Sequence, residues 1–435
     1  MLKVFKFGGA SVKDADSVRN VATILREQSP EKLVVVVSAM GKTTNSLEKV
    51  LNAWYQNDER LATYIQDVIS YHQEIISALF PDKKHPVHFK TDLLFGELEG
   101  NLDSPPSLHY DFDYDQVVSF GELISTTIIS EFLLSEGFNC RWFDVRELVR
   151  TDNTWREAKV DWETTGKLIR EQVSGFLDNS QDWPAIALTQ GFLGASFDGA
   201  TTTLGREGSD YTAAIFAFVL NANEMVIWKD VPGLLNADPK YFSVTEKLAS
   251  ISYREAIELS YYGATVIHPK TIKPLQNKDI PLRIKSFVDP ESEGSLIHQN
   301  TSADSLIPSF IFKVNQVLIS ISPHDFSFID EQSLSEILAV FASHSIHISL
   351  MQNSAISFSV CVDYNERRLS QLFETLGKSY KVRYNTGLEL ITIRHYDQAT
   401  IDRVMEDGKT VLLEMRSRLT AQFVVKDKYQ DKNTR

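Results

Sequence analysis

The sequence predicts an α/β fold with a mainly parallel sheet, followed by a smaller α+β region. Three observations carry that prediction. Short, almost continuously apolar segments at 2–7 (LKVFKF), 33–38 (LVVVVS) and 185–190 (AIALTQ) each run into a turn of small residues. Segments of helical periodicity follow them, at 14–28, 45–79, 116–136, 208–221 and 252–262. Strands apolar at nearly every residue, alternating with helices, belong to parallel sheets covered on both faces. Beyond a small, polar stretch at 294–309 (GSLIHQNTSADSLIPS) the pattern changes.

In that second region, strand 316–322, helix 331–344, strands 346–352 and 355–363, helix 365–377 and strand 379–384 read as βαββαβ. This is a small antiparallel sheet with helices on one face. A shorter cycle starts at 388–394, continues through helix 398–406 and strands 409–416 and 419–425, and stops without a closing helix or strand. The expected domains are therefore 1–300 and 301–435, the last unit being incomplete. The stretch 81–115, rich in Pro, His, Asp and Gly, is expected to be an irregular connection, and the tail KDKYQDKNTR to be disordered.

Composition narrows the function. At 435 residues, 43% hydrophobic and 23% charged, the chain is of ordinary globular composition. A formal charge of −14 argues against a phosphate-tracking nucleic-acid surface. Cys140 and Cys361 are far apart and show neither disulfide nor metal spacing. The opening MLKVFKFGGASVKD is a strand and a glycine turn rather than a signal peptide, and no apolar run approaches membrane-spanning length. A cytoplasmic protein with no nucleic-acid or membrane partner is expected.

Four stretches carry chemistry. VVVVSAMGKTTN (34–45) has the ending of a P-loop, but the glycine that motif needs five positions before Gly41 is Val36. The P-loop reading fails. KFGGASV places Lys6, Phe7, Gly8, Gly9 and Ser11 at the end of a strand, where backbone N–H groups and an ammonium can hold phosphate. On these residues alone, a plain glycine turn explains the stretch equally well. In TTTLGREGSDYTAA, Gly205 and Gly208 bracket Arg206, and Ser209 or Asp210 can cap the apolar helix that follows. An arginine fork beside a helix N-terminus suits a carboxylate. WKDVPGLLNADPK leaves a strand and turns at Pro232-Gly233 and again at Asp238-Pro239.

The order KFGGASV, SAMGKTTN, FGELIST, TTTLGREGSD, WKDVPGLLNADPK, GATVIHPKTIKP and IPLRIKSF resembles the amino acid kinase superfamily, and within it the aspartate kinases, over residues 2–298. The βαββαβ region resembles the tandem ACT regulatory domains that follow their catalytic domain. The resemblance implies an amino acid kinase-type αβα sandwich that uses ATP and Mg2+ to phosphorylate the β-carboxylate of L-aspartate. The product, L-aspartyl 4-phosphate, opens the route to lysine, threonine and methionine. SAMGKTTN is similar to the family's SA-x-G-x-TN loop, with Thr44 and Asn45 lining the aspartate pocket and Lys42 incidental.

The resemblance also implies roles. Lys6 neutralises the β- and γ-phosphoryl groups, which Gly8 and Gly9 let the backbone approach, with Phe7 and Ser11 in the same turn. Asp210 organises Lys6, magnesium and phosphates, without a dedicated metal cluster. Arg206 holds the substrate α-carboxylate, Glu122 its ammonium, and Ser209 completes the pocket with Thr44 and Asn45. Lys229, Asp230, Leu235, Asp238 and Lys240 correspond to the adenosine loop.

Four positions depart from the family pattern: Glu207 (often glycine, its carboxylate expected to point outward), Lys229, Lys240, and Thr265 in place of a common lysine. A kinase of another small amino acid and a catalytically silent amino-acid sensor are the rival readings. The stretch SPHDFSFIDEQSLSEIL lacks the glycine of effector-binding relatives and carries Phe326, Phe328 and Ile329. With half of a paired effector interface also expected to be missing, weak feedback and a mainly dimerising ACT-like region are expected.

Overall fold

The computed structural model describes residues 1–28, 31–180, 184–242, 244–264, 267–325, 327–405 and 408–426. They form two compact units. The first contains Met1–Leu234, Lys247–Ile257 and Val266–Thr301; the second contains Leu235–Glu246, Glu258–Thr265 and Ser302–Arg435. The second unit thus takes up two short segments from within the first 300 residues.

The first unit is built on eight strands: β1 (Leu2–Phe7), β2 (Lys32–Val37), β3 (Cys140–Phe143), β4 (Ala185–Gln190), β5 (Glu224–Lys229), β6 (Ser250–Ser252), β7 (Leu282–Ser286) and β8 (Ser295–His298). Their order is β6-β8-β7-β5-β1-β2-β4-β3. Every pairing is parallel except β7 with β8. Successive residues of a strand face opposite sides, and Leu33–Val37 and Ala185–Gln190 are buried throughout. Both faces of the sheet are therefore covered.

Around it lie α1 (Ala15–Gln28), α2 (Thr43–Gln56), α3 (Leu61–Leu79), α4 (Pro86–Leu102), α5 (Tyr110–Val118), α6 (Phe120–Ser135) and α7 (Gly208–Leu220). The helix expected over 45–79 is two helices. Asn57 takes a left-handed conformation (φ 49°) and its N–H closes back on Ala53 and Trp54, ending α2. The expected irregular connection at 81–115 holds α4 and α5. Pro86, whose missing N–H costs nothing in a first turn, starts α4, and His85 accepts from the Val87 N–H. Tyr110–Ser135 is long and apolar enough to cross a bilayer, but it is mostly buried within the fold. Cys140 and Cys361 are both buried and free.

The second unit is a six-stranded antiparallel sheet of β9 (Ser309–Pro323), β10 (Ile348–Asn353), β11 (Phe358–Asp363), β12 (Tyr380–Arg394), β13 (Thr410–Arg416) and β14 (Thr420–Lys426), in the order β10-β11-β9-β12-β14-β13. Helices α8 (Glu331–Ser343), α9 (Glu366–Leu376) and α10 (Gln398–Met405) complete it. The expectation that the last cycle lacks a closing strand is wrong. Ser309–Lys313, upstream of the first cycle, pairs with Leu390–Arg394 and closes it. Strands 316–322 and 379–384 are halves of the 15-residue β9 and β12, which are irregular near Lys313–Gln316, where Asn315 has φ 54°.

Val317, Ile319, Ile321, Ile337, Phe341, Val360, Leu369 and Leu372 form the core of one half. In the other, Phe310, Ile391, Ile393, Ile401 and Phe423 are joined by Ala237 and Phe242 from the segment Leu235–Glu246. Ile329 is in the first core, Phe328 is exposed, and Phe326 lies outside the described residues. The tail's residues 427–435 lie outside them as well.

Candidate active site

Four neighbouring strands, β5, β1, β2 and β4, end side by side, and in a parallel sheet that edge is where ligands bind. Backbone bonds lock the loops leaving them. Ser38 N–H donates to Phe7 O (3.1 Å), Gly191 N–H to Val37 O (2.9 Å), and Gly41 N–H to Gly9 O (3.0 Å). The Ser11 hydroxyl donates to Trp228 O at 3.3 Å. Gly9 has no space for a side chain: a Cβ there would sit 2.7 Å from Gly41 O and 2.8 Å from Ala39 O. Gly191 likewise lets Ser209 approach, since a Cβ would lie 2.4 Å from the Ser209 Cβ. Phe7 itself is core, its ring stacked on Trp228 at 6.0 Å.

Lys6, on β1, and Asp210, in the first turn of α7, form an ion pair of 2.6 Å. Both are buried, at 8% and 3% exposure. Removing one member of a buried pair strands the other charge, a loss of roughly 3–5 kcal/mol. The pair sits where β1 gives way to its glycine turn. A Cβ on Gly8 would lie 3.4 Å from Lys6 Nζ, so the glycine keeps the approach to the ammonium open.

Glu122, in the first turn of α6, is 3% exposed. Its Oε1 accepts from the Ala39 N–H at 3.2 Å, whereas Oε2 has no hydrogen-bond partner. Burial pushes this carboxyl up to about 8, against smaller opposing effects of backbone N–H groups and Lys6. An unpartnered buried oxygen of this kind can receive a ligand's ammonium. Thr44 is half-buried and Asn45 exposed in the first turn of α2, and Ser209 is buried in that of α7.

Arg206 is exposed in the turn before α7, which Gly205 (φ 78°) and Glu207 (φ 54°) form in left-handed conformations. A left-handed residue there explains why glycine would suit position 207. The Glu207 carboxylate does not point outward as expected: Oε2 is shielded from solvent. Its charge acts on His268, whose imidazole pKa is lowered by burial, raised in part by Glu207, and lowered further by the Lys270 and Arg206 charges. Lys229 is half-buried and Asp230 exposed at the end of β5. Leu235, Asp238 and Lys240 belong to the second unit, where Asp238 accepts from the Lys240 N–H at 2.9 Å. Thr265 lies outside the described residues.

Two further contributors were given no role by motif reading, and only one of them lies outside every motif. Buried Asp115, on α5, accepts from Thr203 N–H (3.0 Å), Thr203 Oγ1 (2.7 Å) and the Arg156 N–H, and so anchors the strand leading to the Arg206 turn. Burial raises it to about 6. His268 was inside a quoted motif, and its Nδ1 accepts from the Lys270 N–H to start a helix at Pro269.

A parallel sheet with a buried lysine–aspartate pair and glycine turns at its central strand ends is an architecture for handling phosphoryl groups. The chain belongs to the amino acid kinase family, whose family model matches residues 1–286. It is similar to the lysine-sensitive aspartokinase 3 of Escherichia coli strain K12, at 31% identity over 406 residues, covering 90% of this chain and 86% of that protein. It is also similar to the chloroplastic aspartokinase 2 of Arabidopsis thaliana, at 30% identity, covering 83% and 66%. Among solved structures, E. coli aspartokinase III in complex with aspartate and ADP (R-state) superimposes with a TM-score of 0.82 at 27% identity, covering 98% of this chain and 96% of that one. Its complex with lysine and aspartate (T-state) has a TM-score of 0.78.

Proposed function

We infer that this chain is an aspartate kinase, which transfers the γ-phosphoryl group of ATP to the β-carboxylate of L-aspartate to give L-aspartyl 4-phosphate and ADP. The observation that carries the reading is the buried Lys6–Asp210 pair beside a buried, half-unpartnered Glu122. The chain that holds it is 31% identical to an aspartokinase over 90% of its length. The nucleophile, a β-carboxylate, is already ionised near neutral pH, so no general base is required. What the protein supplies is alignment and positive charge.

In this reading Lys6 and the Gly8-Gly9 turn receive the transferring phosphoryl group, and Asp210 holds the ammonium in place. Glu122 takes the substrate ammonium and Arg206 its α-carboxylate, with Thr44, Asn45 and Ser209 around them. Asp210 is also the group that would hold Mg2+, together with the nucleotide's own oxygens. No group of three or more acidic, histidine or cysteine side chains among the described residues could bind a metal alone. Mg2+ commonly uses one or two carboxylates together with phosphate oxygens. When bound, Mg2+ neutralises charge on the β- and γ-phosphoryl oxygens.

Residues 1–300 serve as the catalytic domain and 301–435 as the regulatory and dimerising one in a cytoplasmic homodimer or higher homo-oligomer. The edges of the six-stranded sheet support that assembly. Among the described residues, β10 and β13 have unpaired outer sides, and they expose Met351 (55%), Val411 (42%) and Met415 (38%).

The test is ATP-dependent hydroxamate formation with a panel of amino acids. L-Aspartate should support turnover and L-glutamate about a hundredfold less, because an added methylene displaces the attacking carboxylate. Comparable turnover on glutamate would remove the assignment.

A further inference from the structure

The loop that binds the amino acid and the turn that receives phosphate must be held in register for in-line transfer. Two consecutive residues of α3, an element with no motif, touch both. The Tyr71 hydroxyl donates to Lys13 O, on the segment leaving the Gly8-Gly9 turn. The same hydroxyl lies against Gly41: a Cβ there would sit 2.5 Å from it, and Gly41 has φ 54°. Next to it, His72 is completely buried, with its ring edge-on to Tyr71 at 5.1 Å between centroids.

His72 Nδ1 lies 2.7 Å from Val68 O, which places the proton on Nδ1 and leaves Nε2 as an acceptor. Nε2 lies 3.3 Å from the Thr43 hydroxyl, whose single proton is donated to Met40 O at 2.7 Å and reaches Nε2 only as a second, longer acceptor. Thr43 precedes Thr44 and Asn45 in the first turn of α2. Burial lowers the imidazole to about 4, so the ring is neutral near pH 7 and serves as a fixed acceptor.

We propose that Tyr71 and His72 are positioning residues which register the aspartate loop against the phosphate turn. The inference rests on the reading of this site as an aspartate kinase. Neither side chain needs to touch a ligand. Each loop retains its own ligand contacts without them, and Tyr71 adds a side-chain tie between the two loops to the Gly41–Gly9 backbone bond. Loss of that tie therefore lowers the fraction of bound complexes aligned for transfer, while each substrate still binds. Misplacement by about 1 Å can cost on the order of 100-fold in rate.

The experiment uses the full chain with Tyr71→Phe, which keeps the ring and removes only the hydroxyl. Thermal unfolding establishes the folded fraction, and kcat per folded molecule is compared with the KM for aspartate and for ATP. A kcat that falls more than about threefold, and by a larger factor than either KM rises, is the expected result. His72→Gln, which can retain an acceptor toward Thr43, should keep more of kcat than His72→Leu of similar size. Any other Tyr71→Phe pattern, or equal loss in both His72 variants, overturns the proposal. The unaltered chain separates the two levels: if it does not phosphorylate aspartate, the functional reading has failed, whereas active wild type with unaffected variants defeats only the positioning role.

Discussion

In the eight-stranded unit, residues far apart in the chain meet because each lies at the carboxyl end of a parallel strand or in the helix turn beside it. Lys6 and Asp210 are brought to 2.6 Å by that rule. In the six-stranded unit, Ser309–Lys313 meets Leu390–Arg394 through a pairing that no end-of-strand rule specifies. The difference concerns where information lies. Parallel topology brings short local signals to one edge, whereas antiparallel closure depends on a partner that the strand's own residues do not name.

The comparison breaks first if the convergence in the kinase unit is structural rather than chemical. Asp210→Asn keeps the side chain's volume and removes its charge. It should lower kcat by about 100-fold or more while the KM for aspartate changes little, as measured by steady-state turnover. A large rise in that KM at unchanged kcat would move Asp210 from phosphoryl transfer to substrate binding.

A smaller effect sharpens the role of Glu122. Because burial raises its carboxyl to about 8, the free enzyme carries it protonated at lower pH, without a charge for the substrate ammonium. The kcat/KM for aspartate should therefore rise by up to about tenfold per unit of pH and level off above about 8. Glu122→Gln should flatten that slope. For folding, the unfolded carboxyl ionises near its ordinary value of about 4.5 while the folded one stays neutral up to about 8. This group's contribution to stability is thus complete below about 4.5 and lost as pH rises through about 8.

The smallest expected effect concerns the second unit. Sub-millimolar lysine or threonine should inhibit by less than half, since residues 322–338 contain no glycine to free the backbone for an effector carboxylate. Titration of each amino acid against turnover checks this. The other ground for weak feedback, a missing half-interface, is weakened by the closing strand that β9 supplies. Inhibition beyond half would show that the existing backbone binds effector.

What could be read in advance follows the same division. Gly8-Gly9, Arg206 between two glycines and the run before Asp210 announced themselves because backbone freedom and helix capping are local properties. The fold class and the family motifs were legible for that reason. The break at Asn57 and the start at Pro86 were local too, yet long helical periodicity on one side and polar composition on the other hid them. Asp115 and Tyr71 act through contacts with distant backbone and His72 through the distant Thr43 side chain, so nothing in their neighbourhood marks them. The shielded carboxylate of Glu207 sits on a left-handed backbone, a conformation its residue type does not announce.

The continuous β9 and β12 strands also constrain the order of assembly. Residues 309–313 and 388–426 bracket the half made from 316–384, so one half is nested inside the other. Once the inner half pairs Pro323 with Tyr380 and the register runs to Gln316, the two outer strand segments already lie side by side. Their pairing then extends an existing ladder without the entropy of a new long loop closure. In this topology the outer pairing extends the inner ladder, so a chain begun at residue 316 would keep the inner pairing but leave β12 from Leu390 to Arg394 without its β9 partner.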